Sequence, residues 1–362
     1  MILNQKTKQK FQSVGSLLIA LMAGSLPFAA PETCAQALRE GLALCGGPLL
    51  LSLFPFLIVS TLFIQCPAGE LLGLPFCPIA RLIGIRSAAA GRVLFIGFLG
   101  GFAPAANAAA EAVRSGQLTA KEADALLPAC VCSGPSFVIL TVGRSMLGST
   151  ELGVLLFLAQ LTAGYLSAAL LARLAPPLPS KVESHAVVSL SLRLDGVIAQ
   201  AAITYLKLCA FVLFFRMLAA GAGALLPSPA GTLCAMLLEV CSGCDLASKS
   251  GRFASMLCCA SLSLQGASVL LQVRTICPPE MTLRPLYCAR LLHLPLSLLI
   301  FLILLPQREQ ETFSTLCGQV TTMHRLAPEH ALVVFLGCCF AVCELNKTLC
   351  EEQEMCKSSQ LH

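Results

Sequence analysis

Two clusters of helix breakers stand inside runs apolar enough for the interior of a bilayer. The first is Gly100-Gly101-Phe102-Ala103-Pro104 and the second is Cys132-Ser133-Gly134-Pro135-Ser136. Backbone that leaves the helix in hydrocarbon loses partners for its N–H and C=O groups. Such breaks persist only where protein or a water-filled cavity supplies new ones. Paired breaks of this kind are the sequence mark of a ligand site built between half-helices.

Composition supports a bilayer setting. Only 12% of the residues are charged and 56% are hydrophobic, with a mean hydropathy of +0.81. Soluble domains carry roughly 25% charged residues, and a solvated surface is not built from half of that. The chain reads as an all-α polytopic membrane protein. Net charge is +5 without a long basic run, so nucleic acid is not an expected partner. Lys6, Lys8 and Lys10 precede the first apolar segment and put the N-terminus in the cytoplasm by the positive-inside rule. Most of the 20 cysteines lie in apolar runs and read as small hydrophobes. Cys241-Ser242-Gly243-Cys244 lacks a second ligand pair, so no metal is expected. Five scattered histidines give no catalytic constellation, and the chain does not read as an enzyme.

Along the chain, 1–36 reads as a retained first transmembrane helix, apolar over Val14–Ala30. A second span covers Leu42–Ile64. Cys66–Arg92 is too rich in Pro to cross and carries Arg81, Arg86 and Arg92, which favour the cytoplasmic side. Residues 93–116 form two arms near half of a span's length, flanked by Arg92 and Arg114, as a re-entrant hairpin with its tip at Gly100–Pro104 would. Thr119 and Glu122 make a capping box for a helix that breaks at Ser133-Gly134-Pro135 and resumes over Phe137–Leu147. Leu152–Leu174 is an ordinary span. A cytoplasmic linker over 176–195 divides the chain near its centre.

The second half repeats the order. A span over 196–226 precedes short arms around Glu239-Val240-Cys241-Ser242-Gly243. A helix interrupted at Ser263-Leu264-Gln265-Gly266-Ala267-Ser268 follows, and Leu286–Leu305 closes the core. Each half, 37–175 and 196–305, thus reads as span, re-entrant hairpin, broken helix, span, the plan of an inverted repeat. Residues 306–362 form a tail without an assigned role.

Several of these segments resemble the YlbJ family of sporulation integral membrane proteins. The likeness rests on Pro55-Phe56-Leu57-Ile58-Val59-Ser60, Gly97-Phe98 with Gly101, Leu118–Leu127 running into Ser133-Gly134-Pro135, and the two second-half clusters. That family belongs with the nucleoside recognition, or Gate, domains of concentrative nucleoside transporters. The resemblance covers roughly residues 40–305. It implies a nucleoside-transporter-like core with two Gate-like repeats, and transport of a dipicolinate-type solute across a bacterial cell membrane or forespore membrane. The polar hairpin-tip residues of nucleoside transporters are replaced here by Phe102 and Ala103, which departs from a nucleoside substrate.

The residues expected at a solute site are Gly101, Ala103, Asn107, Ser133, Ser136, Glu239, Ser242, Ser263, Gln265 and Ser268. A carboxylate at membrane depth costs several kcal/mol unless it is paired, protonated or hydrated, so Glu239 is a candidate for substrate contact or for coupling to H⁺ or Na⁺. Arg216 and Lys207 are its candidate charge partners, with snorkelling to the interface as the alternative. The serines lie in the breaks, where half-helix N-termini favour an anion. Alternatively their hydroxyls satisfy only local backbone. The reading is a carrier of a small polar organic solute such as an aromatic carboxylate, embedded in a lipid bilayer and without a cofactor. A nucleoside or nucleobase carrier and a non-transporting membrane scaffold stand as alternatives, and self-association is left open.

Overall fold

The computed structural model describes residues 17, 20–21, 23–66, 69–175, 194–227 and 229–305. Residues 176–193 of the expected linker over 176–195, the tail 306–362 and the start of the first apolar helix lie outside the described residues, and Leu194 and Asp195 already belong to a helix. Every regular element among the described residues is helical. Five helices are long and apolar enough to cross a bilayer: Pro31–Gln65, Thr150–Leu174, Leu194–Leu225, Gly251–Ile276 and Arg284–Leu304. The chain is an all-helical, multi-pass membrane protein.

Helix α1 (Pro31–Gly46) starts with Pro at its first position and Glu32 in its first turn, both suited to the positive end of the helix dipole. Gly47 and Pro48 interrupt it, and α2 (Pro48–Gln65) continues the run. The second apolar segment thus begins eleven residues before Leu42 and is two helices joined at a Gly-Pro step. Three short helical turns fill 69–82, in agreement with a stretch too broken to span. Arg92 is buried. Its guanidinium donates to the carbonyls of Ile64 (2.8 Å) and Cys66 (3.3 Å) and to the Gln117 side chain. It caps the carboxyl end of α2, where orphan carbonyls favour a cation.

Helices α3 (Ala88–Gly100) and α4 (Phe102–Arg114) have 13 residues each. At 1.5 Å per residue each is about 20 Å long, well short of a bilayer. Ala103, Ala105, Ala106, Ala108, Ala109 and Ala112 are fully buried on α4. Such small side chains let α4 close against α2, α3 and the following helix. That helix, α5 (Ala120–Cys130), begins with the expected capping box: Thr119 Oγ1 accepts from Glu122 N at 3.2 Å, and Glu122 Oε2 accepts from Thr119 N at 2.8 Å. After the break the chain resumes as α6 (Ser136–Met146), which winds as a π-helix rather than the expected α-helix. Ser145 Oγ donates five residues back to Leu140 O, and Leu147 N five back to Val142 O, as the wider turn requires. Pro135 has no N–H to donate at the start of this segment.

Helix α7 (Thr150–Leu174) returns and packs along the last helix, α13 (Arg284–Leu304). Helix α8 (Leu194–Leu225) has 32 residues and packs along α1. Then come the short pair α9 (Ala230–Leu238) and α10 (Val240–Ser248), nine residues each. The interrupted helix follows as α11 (Ala254–Leu264) and α12 (Gly266–Ile276), hinged at Gln265 in a left-handed conformation, φ 65°. Asp124 on α5 fastens the loop beyond α12, accepting from Thr282 N (2.9 Å), Thr282 Oγ1 (2.7 Å) and Leu283 N (3.2 Å).

Candidate functional site at the helix breaks

Four breaks interrupt the short helices, and the structure brings them together in pairs. Gly101 adopts φ 78°, ψ −162°, a region essentially reserved for Gly. A β-carbon there would stand 2.5 Å from Gly134 N. The tip between α3 and α4 therefore rests directly on the break between α5 and α6. In the second half Gly266, φ 66°, rests on the tip between α9 and α10. A β-carbon on it would lie 3.0 Å from both Glu239 N and the Leu238 carbonyl. The two broken helices also touch each other, because Gln265 Nε2 donates to Ser133 Oγ at 3.3 Å and to Leu262 O at 3.1 Å. Gly101, Ser133, Gln265 and Glu239 are thereby linked in one continuous arrangement. Ala103 lies two residues from Gly101, fully buried, and offers no polar group of its own.

A cation stands where the breaks meet. Arg290 on α13 is buried, and its guanidinium donates to Val131 O at 2.6 Å and Ser263 O at 3.3 Å. Those carbonyls belong to the carboxyl ends of α5 and α11, the two half-helices that stop at the breaks. One side chain thus caps both, with charge of the sign that helix carboxyl ends favour. His293, one turn further along the same face, lies 3.3 Å from Ser263 O through Nδ1 and 2.9 Å from Gln160 O through Nε2. Arg290 has no carboxylate partner among the described residues. Among the described residues its Nε has no hydrogen-bond partner, and neither do Gln265 Oε1 or the amide atoms of Gln160. Buried polar groups are nearly always bonded, so a polar ligand or ordered water would find partners here.

Glu239 is 4% exposed, so it is not at a hydrated rim. It sits extended between α9 and α10 and caps the second helix. Its carboxylate accepts from Cys241 N at 2.9 Å, Ser242 N at 2.7 Å and Ser242 Oγ at 2.9 Å. Charge-assisted bonds of this type are about twice as strong as neutral ones. Ser242 thereby serves the cap.

Other expectations are corrected. Arg216 pairs with Glu40 on α1 at 2.8 Å rather than with Glu239, because α1 lies along α8 and brings that carboxylate to it. Lys207 is exposed and lines a cavity that Asn107 also lines. Asn107 Nδ2 donates to Ser60 Oγ (3.0 Å) and Thr61 Oγ1 (2.8 Å), which ties α4 to α2. Ser136 is exposed, since it opens α6 on the outward side of the turn. Ser263 Oγ bonds back to Cys259 O at 2.7 Å, so only its carbonyl joins the site. Ser268 Oγ accepts from Gln272 Nε2 at 2.8 Å within α12. These last two hydroxyls satisfy local groups, as Ser does inside helices.

Arg290, His293 and Gln160 were not among the residues expected from the sequence. The mark that could have found the first two is an Arg and a His three residues apart, on one helix face, inside the closing apolar run.

Compared with protein-family models, with curated proteins and with solved structures, the chain matches none.

Proposed function

We propose that this chain is a membrane transporter for a small organic anion, an aromatic carboxylate of the dipicolinate type, with its solute site where the two broken helices meet. The observation that carries the reading is Arg290 bonded to backbone at both breaks while Gln265 reaches across to Ser133. A guanidinium without a carboxylate partner among the described residues, its Nε still unbonded, suits an anionic solute. The helices that begin at the breaks, α4, α6 and α12, add the partial positive charge of their N-termini.

The inverted-repeat reading draws support from the order of elements. Helices α3 to α7 and α9 to α13 both run as two short helices, a helix in two pieces, and a span. In both, a Gly at or beside the break lets the hairpin tip approach closely. Alternating access would then move one half against the other and part the Ser133–Gln265 contact. Coupling to H⁺ or Na⁺ would draw on Glu239 and the spare Gln265 Oε1. The likeness to the YlbJ family adds a bacterial cell or forespore membrane as the setting, with the N-terminus cytoplasmic.

Uptake of radiolabelled dipicolinate into proteoliposomes tests the reading. Saturable uptake is expected, with KM raised severalfold in Gln265→Ala. A rate that stays linear in solute concentration and equals that of empty liposomes would overturn it.

A further inference from the structure

A cavity of about 350 Å³ opens between α4, α8 and the segment that follows α12. Its volume falls in the range of small-molecule sites. The polar groups on its wall are Asn107, Arg114, Gln200, Thr204, Lys207 and Thr275, and Phe211 and Pro279 supply apolar surface. Two cations and the neutral donors Gln200 and Thr204 line it, while Asn107 and Thr275 donate to Ser60, Thr61 and Leu271, and neither Asp nor Glu lines it. Arg114 makes a 3.4 Å contact with Glu111, a partly exposed pair of the kind that is weak and easily exchanged. Lys207 has no ion pair among the described residues.

Position matters as much as chemistry. Helices α4 and α12 both begin at a break and both end at this cavity. Asn107 is six residues from Gly101, which is about 9 Å along the helix, and Thr275 is ten residues from Gln265, about 15 Å. The cavity therefore stands at the far end of the two helices that lead from the meeting of the breaks.

We infer that this cavity binds a small organic anion, one or two carboxylates on an apolar ring, as an outer site ahead of the breaks. Lys207 and Arg114 take the carboxylate oxygens, Gln200 and Thr204 fix orientation, and Phe211 with Pro279 faces the ring. The outer-site role rests on the transport reading, but the binding itself does not. A lipid headgroup offers anionic oxygens too. Cations held on two different helices, Arg114 on α4 and Lys207 on α8, with the neutral donors Gln200 and Thr204 on α8, suit a rigid solute better than a mobile headgroup, and the solute is the occupant assigned.

The test uses the full chain in nanodiscs of neutral lipid. Equilibrium binding of radiolabelled pyridine-2,6-dicarboxylate is measured for wild type and for the Lys207→Gln/Arg114→Gln double variant. Both side chains are exposed, so the variant keeps its fold, and Lys207→Arg/Arg114→Lys is the rescue. Wild type is expected to bind, uncharged pyridine-2,6-dicarboxamide to compete poorly, and the double variant to hold one equivalent fewer. No binding by wild type, or the same stoichiometry and affinity in the variant, would overturn the inference. An effect of the substitutions seen only when phosphatidylglycerol is added would assign the cavity to a lipid headgroup and also overturn it. If uptake proves unsaturable while the variant still loses its equivalent, the transport reading fails and this site stands. If uptake saturates and the variant binds as wild type does, this site alone fails.

Discussion

Arg290 holds the carboxyl ends of two half-helices at once. Replacing it by Met leaves Val131 O without a donor in a buried place, while His293 still reaches Ser263 O. An orphaned buried acceptor costs about 1–3 kcal/mol. Arg290→Met is therefore expected to lower the melting temperature of the detergent-solubilised protein and to abolish uptake. A variant that melts as wild type does would remove Arg290 from its capping role. Glu239→Gln is a milder change. The amide keeps one oxygen for the N–H groups of Cys241 and Ser242 but loses the charge, at about 1 kcal/mol, the usual worth of an N-cap. If Glu239 only caps, uptake by Glu239→Gln retains its pH profile; if it carries a coupling proton, the profile flattens. Glu239 was legible in the sequence because a lone carboxylate follows nine residues without charge. Arg290 was not, because a cation near one end of an apolar run looks the same whether it snorkels to water or turns inward to cap two other helices. Only the tertiary placement of α5 and α11 decides between those outcomes.

At the scale of elements, helix starts and stops were the most readable features. Thr119 and Glu122 form their box as the residue types require. Thr119→Ala is expected to lower stability by about 1 kcal/mol, read from the thermal midpoint. The hairpin tip is governed by Gly101. Gly101→Ala puts a methyl 2.5 Å from Gly134 N on backbone in a Gly-only region. The tip must lift from the break, so uptake should fall at least tenfold while the protein still elutes as a single folded species. Normal uptake by Gly101→Ala would mean that the close approach has no functional weight. The π-winding of α6 had no counterpart in the sequence reading. Its apolar run is compatible with either helix, and the wider turn shows itself only in bonds that reach five residues back. Ser136 fell on the outward face as part of the same geometry.

On the scale of the whole molecule, low charge and repeated apolar runs made a multi-pass helical protein legible, because hydrocarbon admits few other solutions. The order of breaks was legible too. Which break touches which was not, since no residue pattern encodes contacts between Ser133 and Gln265, 132 residues apart. The expected partnership of Arg216 with Glu239 failed for the same reason: α1 lies along α8 and supplies Glu40. The central claim is that the two broken helices form one solute site. A double-mutant cycle on that contact addresses it most directly, with initial rates of dipicolinate uptake measured for wild type, Ser133→Ala, Gln265→Ala and the double variant. Residues in one network couple by about 0.5–3 kcal/mol. The double variant should accordingly be little worse in kcat/KM than the poorer single variant. Losses that simply multiply would contradict a shared site.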